Sequence, residues 1–157
     1  MKRAGFTMIE LIFVIVILGI LAAVAVPKLA ATRTDAAVSK MSSNISTLVS
    51  EAGAYYTSNG SWGTWGEISN VPVTTAAGGT ATGGTTAATT IVYINDGGIL
   101  SAADTTKACF SVIATADGNL TVASASGSDA VCVSALALAT KNGLVTTHAY
   151  GGTGVTY

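Results

Sequence analysis

The chain has 157 residues, of which 10% are charged and 50% are hydrophobic, and its formal net charge is −1. A nucleic-acid-binding surface or a solvated disordered tail would carry far more charge, so we expect no nucleic acid as a primary partner. About 130 residues remain once the apolar stretch at the N-terminus is set aside, which suffices for one small sheet packed on a helix.

The N-terminal stretch, residues 6–26, is uncharged except for Glu10 and is long enough to cross a bilayer as a helix. A carboxylate at the centre of a membrane helix costs roughly 2.5–3.5 kcal/mol, and less toward the interface, so Glu10 needs an explanation. In a secretory signal the apolar region ends at a small-x-small cleavage site. Here the apolar pattern continues through Val26 and Pro27, so we expect the stretch to be retained.

These residues carry a resemblance. MKRAG followed by FTMIELIFVIVILGILAAVAVP resembles the class III signal of type IV prepilins and pseudopilins. The resemblance implies that a prepilin peptidase cuts after Gly5 and methylates the new N-terminal residue, Phe6. It also implies that Glu10 meets the Phe6 amine of a neighbouring subunit during assembly.

The chemistry of Glu10 is compatible with that role. It lies four residues after Phe6, a rise of about 6 Å along a helix, and two ionised groups at depth are tolerable only when paired. Two alternatives stay open: Glu10 pairs with the N-terminus of its own chain, or it lies at the headgroup interface with no role in assembly.

Charge alone does not decide the membrane orientation. Lys2 and Arg3 favour a cytoplasmic N-terminus, but Lys28, Arg33 and Lys40 stand on the other side of the stretch. The resemblance implies a single-pass protein of the bacterial inner membrane before assembly, with a cytoplasmic N-terminus. After assembly it implies an extracellular surface filament or a periplasmic pseudopilus.

The helical pattern continues beyond the membrane-length stretch and predicts one helix from Phe6 to Ser58. Apolar residues recur at steps of three and four and form one stripe; they are Val38, Met41, Ile45, Leu48, Ala52 and Tyr55. Asn59 and Gly60 predict the end of the helix. Gly19 and Pro27 weaken it locally, and the resemblance implies that helix is lost between them in a filament.

Residues 59–90 contain many turn formers and a low-complexity Thr/Ala/Gly segment, which predicts a long surface connection anchored by Trp62 and Trp65. Residues 89–95 are β-branched and precede Asp96-Gly97-Gly98, a strand signal. Residues 107–126 alternate around Asp117-Gly118-Asn119 and predict a β-hairpin.

The next segment predicts a short helix, capped by Ser128 or Asp129 and ended by Gly143, although a strand stays possible. A last strand is expected within residues 144–150. Cys109 and Cys132 would form one disulfide in an exported domain, tying the hairpin to the short helix and adding roughly 3 kcal/mol; two buried free thiols are the alternative.

The predicted fold is therefore α+β: a long N-terminal helix, membrane-spanning in its first half and amphipathic in its second, packed on a small antiparallel sheet. The resemblance makes this type IV pilin-like. We expect the following boundaries: 1–5 leader, 6–27 transmembrane or filament-core helix, 28–58 amphipathic half, 59–90 connecting loop, and 91–157 head with the disulfide.

Nothing in the sequence predicts catalysis, a cofactor or a metal site. His148 has no evident catalytic partner. Scattered aspartates could include a calcium ligand, but turn chemistry explains them as well; they are Asp96, Asp104, Asp117 and Asp129. Asn119-Leu120-Thr121 matches a glycosylation sequon, and a tight turn explains the same residues.

Two functions follow from the resemblance. The first is a structural subunit that polymerises through its N-terminal helix into a type IV pilus, serving adhesion, motility or uptake. The second is a major pseudopilin of a type II secretion system. The implied partners are further copies of the chain, a prepilin peptidase, the inner-membrane pilus or secretion assembly machinery, and membrane lipid before assembly.

Overall fold

The computed structural model describes residues 5–75, 87–89, 91–94 and 108–151. Helices and strands follow in the order α1 (Met8–Asn59), α2 (Trp65–Ile68), β1 (Thr74–Thr75), β2 (Val92–Ile94), β3 (Phe110–Ala114), β4 (Asn119–Ser124), α3 (Ala130–Lys141) and β5 (Thr147–Ala149). The chain divides into two compact units, Met1–Ala36 and Ala37–Tyr157, and we call the second unit the head. The predicted α+β layout, a long apolar helix and a small antiparallel sheet, is confirmed.

The sheet of the head has five antiparallel strands in the order β1-β2-β3-β4-β5. Its registers place Ile94 opposite Phe110 and Val112 opposite Val122. Because side chains alternate between the two faces of a strand, these residues share the buried face, and each is at most 1% exposed.

The part of α1 inside the head packs on this core through the predicted stripe. Met41, Ile45, Leu48 and Ala52 are all at most 1% exposed, and Val38 and Tyr55 pack partly buried against the same core. The stripe is therefore confirmed. The helix ends at Asn59, as expected, because Gly60 takes a φ of 70° and cannot continue it.

The predicted hairpin is confirmed as β3 and β4. Gly118 has a φ of 80°, and the ring of Tyr56 lies so close that a Cβ at this position would come within 2.6 Å of it. Both the turn conformation and the contact with α1 therefore require glycine.

The short helix is confirmed as α3, and the alternative strand is wrong. The side chain of Asp129 accepts a hydrogen bond from the backbone nitrogen of Cys132 at 2.8 Å, which makes it the N-cap. Cys132, Ala135 and Ala139 are buried, which is a helical period. The predicted last strand is confirmed as β5.

The connection predicted for residues 59–90 is more structured than expected where it is described. It contains α2 and the edge strand β1, and its buried residues are Trp65, Ile68, Val71, Val73 and Ala88. Elements of four and two residues are too short to show a period in the sequence, because distant contacts stabilise them. Most of the low-complexity segment, together with Asp96-Gly97-Gly98 and Asp104, lies outside the described residues.

The anchoring role predicted for the two tryptophans is confirmed. Trp65 is 1% exposed in the core. The indole nitrogen of Trp62 donates to the backbone oxygen of Thr115 at 2.8 Å, which joins the start of the connection to the hairpin turn.

The disulfide between Cys109 and Cys132 is confirmed, and both residues are 2% exposed. It joins the start of β3 to the first turn of α3, so the closed loop contains the whole β3–β4 hairpin. Gly127 lies against it, since a Cβ there would come within 2.6 Å of the Cys132 sulfur. The alternative of two free thiols is wrong.

We expect the Cys109→Ala, Cys132→Ala double variant to lose about 3 kcal/mol of the free energy of unfolding of the head, because a loop of this length is no longer closed. Urea unfolding of the full chain in detergent, followed by the fluorescence of the buried Trp65, measures the loss. Ser134→Ala, on the exposed side of α3, is the control and should change stability by less than about 0.5 kcal/mol. Equal stability of the double variant and the control would contradict the role of the disulfide.

Candidate functional site

The candidate site lies at the start of α1, where Thr7 and Glu10 form a reciprocal cap. The backbone nitrogen and the hydroxyl of Thr7 both donate to Oε2 of Glu10, at 2.8 and 2.7 Å. The backbone nitrogen of Glu10 donates to the Thr7 hydroxyl at 3.4 Å. This is the capping box, in which the N-cap and the third helical residue satisfy each other's backbone donors.

The cap fixes where the helix begins. Gly5, Phe6 and Thr7 lie outside it, and α1 begins at Met8. Phe6 is 90% exposed, and a Cβ placed on Gly5 would meet nothing within 4 Å. The Gly5–Phe6 peptide bond is therefore accessible in a non-helical segment directly before the helix.

The helix that follows is apolar on every side and has no protein cover in the described structure. From Met8 to Leu29 its large apolar side chains are between 42% and 82% exposed. By length and composition α1 can cross a membrane. Hydrocarbon or other apolar helices would remove this surface from water.

The helix continues without a break through Gly19 and Pro27. Pro27 removes one backbone donor, and Gly19 meets nothing within 4 Å of an added Cβ. Local weakening between these two residues stays a prediction.

The comparison with known proteins bears on this same segment. The prokaryotic N-terminal methylation motif matches residues 1–26. The chain carries the class III prepilin signal of type IV pilins and pseudopilins. The motif contains Gly5, Phe6 and Glu10 and ends before Pro27, so the head lies outside the match. No curated protein and no solved structure matches the chain.

Thr7 is the residue at this site that sequence reasoning missed. The sequence Thr7-Met8-Ile9-Glu10 already has the S/T-x-x-E signature of a capping box, but the search for a partner of Glu10 looked only toward charged groups. The structure therefore adds a third explanation of Glu10 to those considered from the sequence: it caps its own helix.

The head repeats the same local chemistry, which shows what a cap does away from the motif. Both donors of Thr64 reach Oε2 of Glu67, at 2.8 and 3.0 Å, at the start of α2. These hydrogen bonds, first from the backbone and then from the side chain of Thr64, lower the pKa of the Glu67 carboxyl. A cap of this kind needs no further partner, so capping alone does not explain why Glu10 lies in an apolar helix.

The remaining candidate residues have structural partners. A ring nitrogen of His148 hydrogen-bonds the backbone oxygen of Leu144 at 3.1 Å. Cys109, Asp129 and Cys132 place one ligand atom each within 4.8 Å of one another, but the disulfide uses both sulfurs and Asp129 caps α3. This set does not fit a metal ion.

The turn and the sequon coincide in the structure. Asp117 lies in the β3–β4 turn, and Asn119 is the first residue of β4, paired with Ala149 of β5. The hydroxyl of Thr121 lies 3.1 Å from that of Thr147. Turn chemistry thus accounts for both ends of the sequon, and glycosylation of Asn119 stays a prediction.

We expect Thr7→Ala to loosen the first turn of α1, because it removes the side-chain half of the capping box, whose loss costs about 1 kcal/mol. Hydrogen exchange of the amides of Ile9 and Glu10 in detergent micelles, read by NMR, should become about fivefold faster. Thr7→Ser keeps the hydroxyl and should exchange as the wild type does. Unchanged exchange in Thr7→Ala would show that the cap does not hold the first turn.

Proposed function

We propose that this chain is a structural subunit that polymerises through its N-terminal helix into a type IV pilus, serving adhesion, motility or uptake. The observation that carries the proposal is the methylation motif at residues 1–26, which runs into a membrane-length helix whose apolar surface the described structure leaves uncovered. The head supports it with a disulfide-linked sheet of the kind that exported domains use. The proposed role is structural, with no catalytic step.

Processing comes first in this proposal. A prepilin peptidase cuts after Gly5 and methylates Phe6, and the accessible Gly5–Phe6 bond before the cap supports this site of cleavage. Before assembly the subunit spans the bacterial inner membrane once, with its N-terminus in the cytoplasm. The pilus assembly machinery then moves the helix from lipid into the filament.

Glu10 can serve both as cap and as assembly contact. Thr7 occupies only Oε2 of the carboxylate. Oε1 can therefore accept from the Phe6 amine of a neighbouring subunit while the helix stays capped. In the apolar interior of a filament this amine needs a counter-charge, and a carboxylate at the same depth supplies it.

The second candidate is a major pseudopilin of a type II secretion system, which the same motif supports. The disulfide-linked head favours the pilus, because major pseudopilins as a class usually lack such a bridge. Shearing intact cells and identifying the released filament protein separates the two: a pilin is recovered from the surface, whereas a pseudopilin stays in the periplasm.

We expect co-expression with a prepilin peptidase to release residues 1–5 and to leave an N-methylated Phe6. Intact-mass analysis measures both changes at once. Gly5→Leu is the matched control and should keep the full leader while still entering the membrane, because the apolar helix is unchanged. Retention of Met1 in the wild type, or a cut within residues 23–26, would contradict this processing.

We expect Glu10→Ala to give normal membrane levels and normal processing but few or no filaments. The change removes a charge from an apolar helix, so insertion does not suffer. In a filament the Phe6 amine would be buried without its carboxylate, and breaking one side of a buried pair costs roughly 3–5 kcal/mol. Electron microscopy at matched subunit levels counts the filaments.

Two variants control this experiment. Glu67→Ala removes the carboxylate of the equivalent capping box in the head and should assemble normally, which separates assembly from capping. Glu10→Asp should be intermediate, since its shorter side chain reaches less far. Wild-type filament numbers from Glu10→Ala would show that Glu10 is only a cap.

A further inference from the structure

The segment of α1 that follows the apolar stretch carries an arrangement of charges that the methylation motif does not include. Lys28, Arg33 and Asp35 are exposed. None of the three forms an ion pair within the part of the chain that the structure describes. All three lie in the first compact unit, Met1–Ala36, outside the head.

Lys28 and Asp35 are seven residues apart on one helix. Seven residues are about two turns and about 10.5 Å of rise, and they bring the two side chains to within about 20° of the same face. Arg33 projects about 140° away from Lys28. Charges three or four residues apart can pair within one helix, but a separation of seven is too long for a direct contact. Lys28 and Asp35 therefore form one positive and one negative point on a single face, without reaching each other.

The surface between the two charges is small. Ala31 and Thr32 lie on it, and the hydroxyl of Thr32 donates to the backbone oxygen of Leu29 at 2.9 Å. Thr32 therefore offers no free donor to a partner along this face. Side chains of this size let a second helix approach to the short end of the usual 8–10 Å between axes.

A second copy of the same helix complements this face only at one displacement. Copies inserted by the same N-terminal signal lie parallel. Without displacement, Lys28 would face Lys28 and Asp35 would face Asp35, which is repulsive. With a displacement of seven residues, Lys28 of one copy is level with Asp35 of the other.

We propose that neighbouring copies of this chain pack their α1 helices in parallel, displaced by seven residues, with an ion pair between Lys28 of one copy and Asp35 of the next. This rests on the proposed function, since it is the filament that brings the copies together. The pair specifies the displacement of the subunits, because every other register near it loses the contact or opposes like charges.

The contact between Phe6 and Glu10 asks for a displacement in the same direction. In both pairs the group nearer the N-terminus is positive and belongs to the same copy, and the group nearer the C-terminus is negative and belongs to its neighbour. The two ideal displacements are about 6 and about 10.5 Å, and the difference is within the reach of a lysine side chain. The two pairs can therefore form together.

Charge reversal and exchange test the pair. In Lys28→Asp and in Asp35→Lys, the contact becomes repulsive in every subunit, and we expect filament numbers to fall by about tenfold or more. The double variant Lys28→Asp, Asp35→Lys restores opposite charges and should return to within about threefold of the wild type. Filaments are counted by electron microscopy at matched levels of processed subunit.

Arg33→Asp is the matched control, because it changes the net charge as Lys28→Asp does but on another face of the helix, and it should assemble. Normal filaments from both single reversals, or no rescue in the double variant, would overturn the ion pair. If wild-type subunits form no filaments at all, the proposed function fails instead, so the two failures are distinguishable.

Cysteine cross-linking tests the displacement itself while keeping both charges. Thr32 and Ser39 are exposed and also seven residues apart. Oxidising filaments of the Thr32→Cys, Ser39→Cys double variant should give a ladder of cross-linked subunits on a gel. Each single variant should remain monomeric. Dimers from the single variants would indicate copies packed without displacement and would overturn the proposal.

Discussion

Burial of one stripe of α1 against a five-stranded sheet is the interaction on which the head depends. Four stripe residues, Met41, Ile45, Leu48 and Ala52, are almost completely removed from water. The other elements of the head complete this core: α2 brings Trp65 into it, and α3 closes it through Cys132. Because burial of apolar surface is the main favourable term in folding, the same helix would have no reason to keep a single straight stripe without the sheet.

The first part of α1 obeys a different constraint. Its apolar residues face all directions, so no single surface of one sheet could cover them, and they need an apolar environment on every side. Glu10 is the exception in that environment. The capping box explains how one chain tolerates the carboxylate at the helix start, and the free second oxygen explains how another chain could use it. A group that satisfies its own helix and still offers an acceptor suits a subunit that passes from lipid into a filament.

Much of the fold could be predicted from the sequence because the signals were local. The helix and its stripe follow from a period of three and four, the hairpin from alternation around Asp117-Gly118, and the helix α3 from a cap at Asp129. The candidate site was also local, since Gly5, Phe6 and Glu10 lie in one short motif. Thr7 could have been found in the same way, because its spacing to Glu10 is the signature of a capping box. Elements such as α2 and β1 could not, because two to four residues carry no period.

The sequence by itself determined that a membrane-length helix with a processing motif continues into an amphipathic half, because composition and periodicity are properties of neighbouring residues. Only the tertiary structure decided what that half packs against, which strands pair in which order, and that Cys109 and Cys132 meet. These contacts join residues far apart in the chain, and no local pattern states a distance between them. The same holds for the turn at Gly118, which the sequence predicts but which only the ring of Tyr56 restricts to glycine.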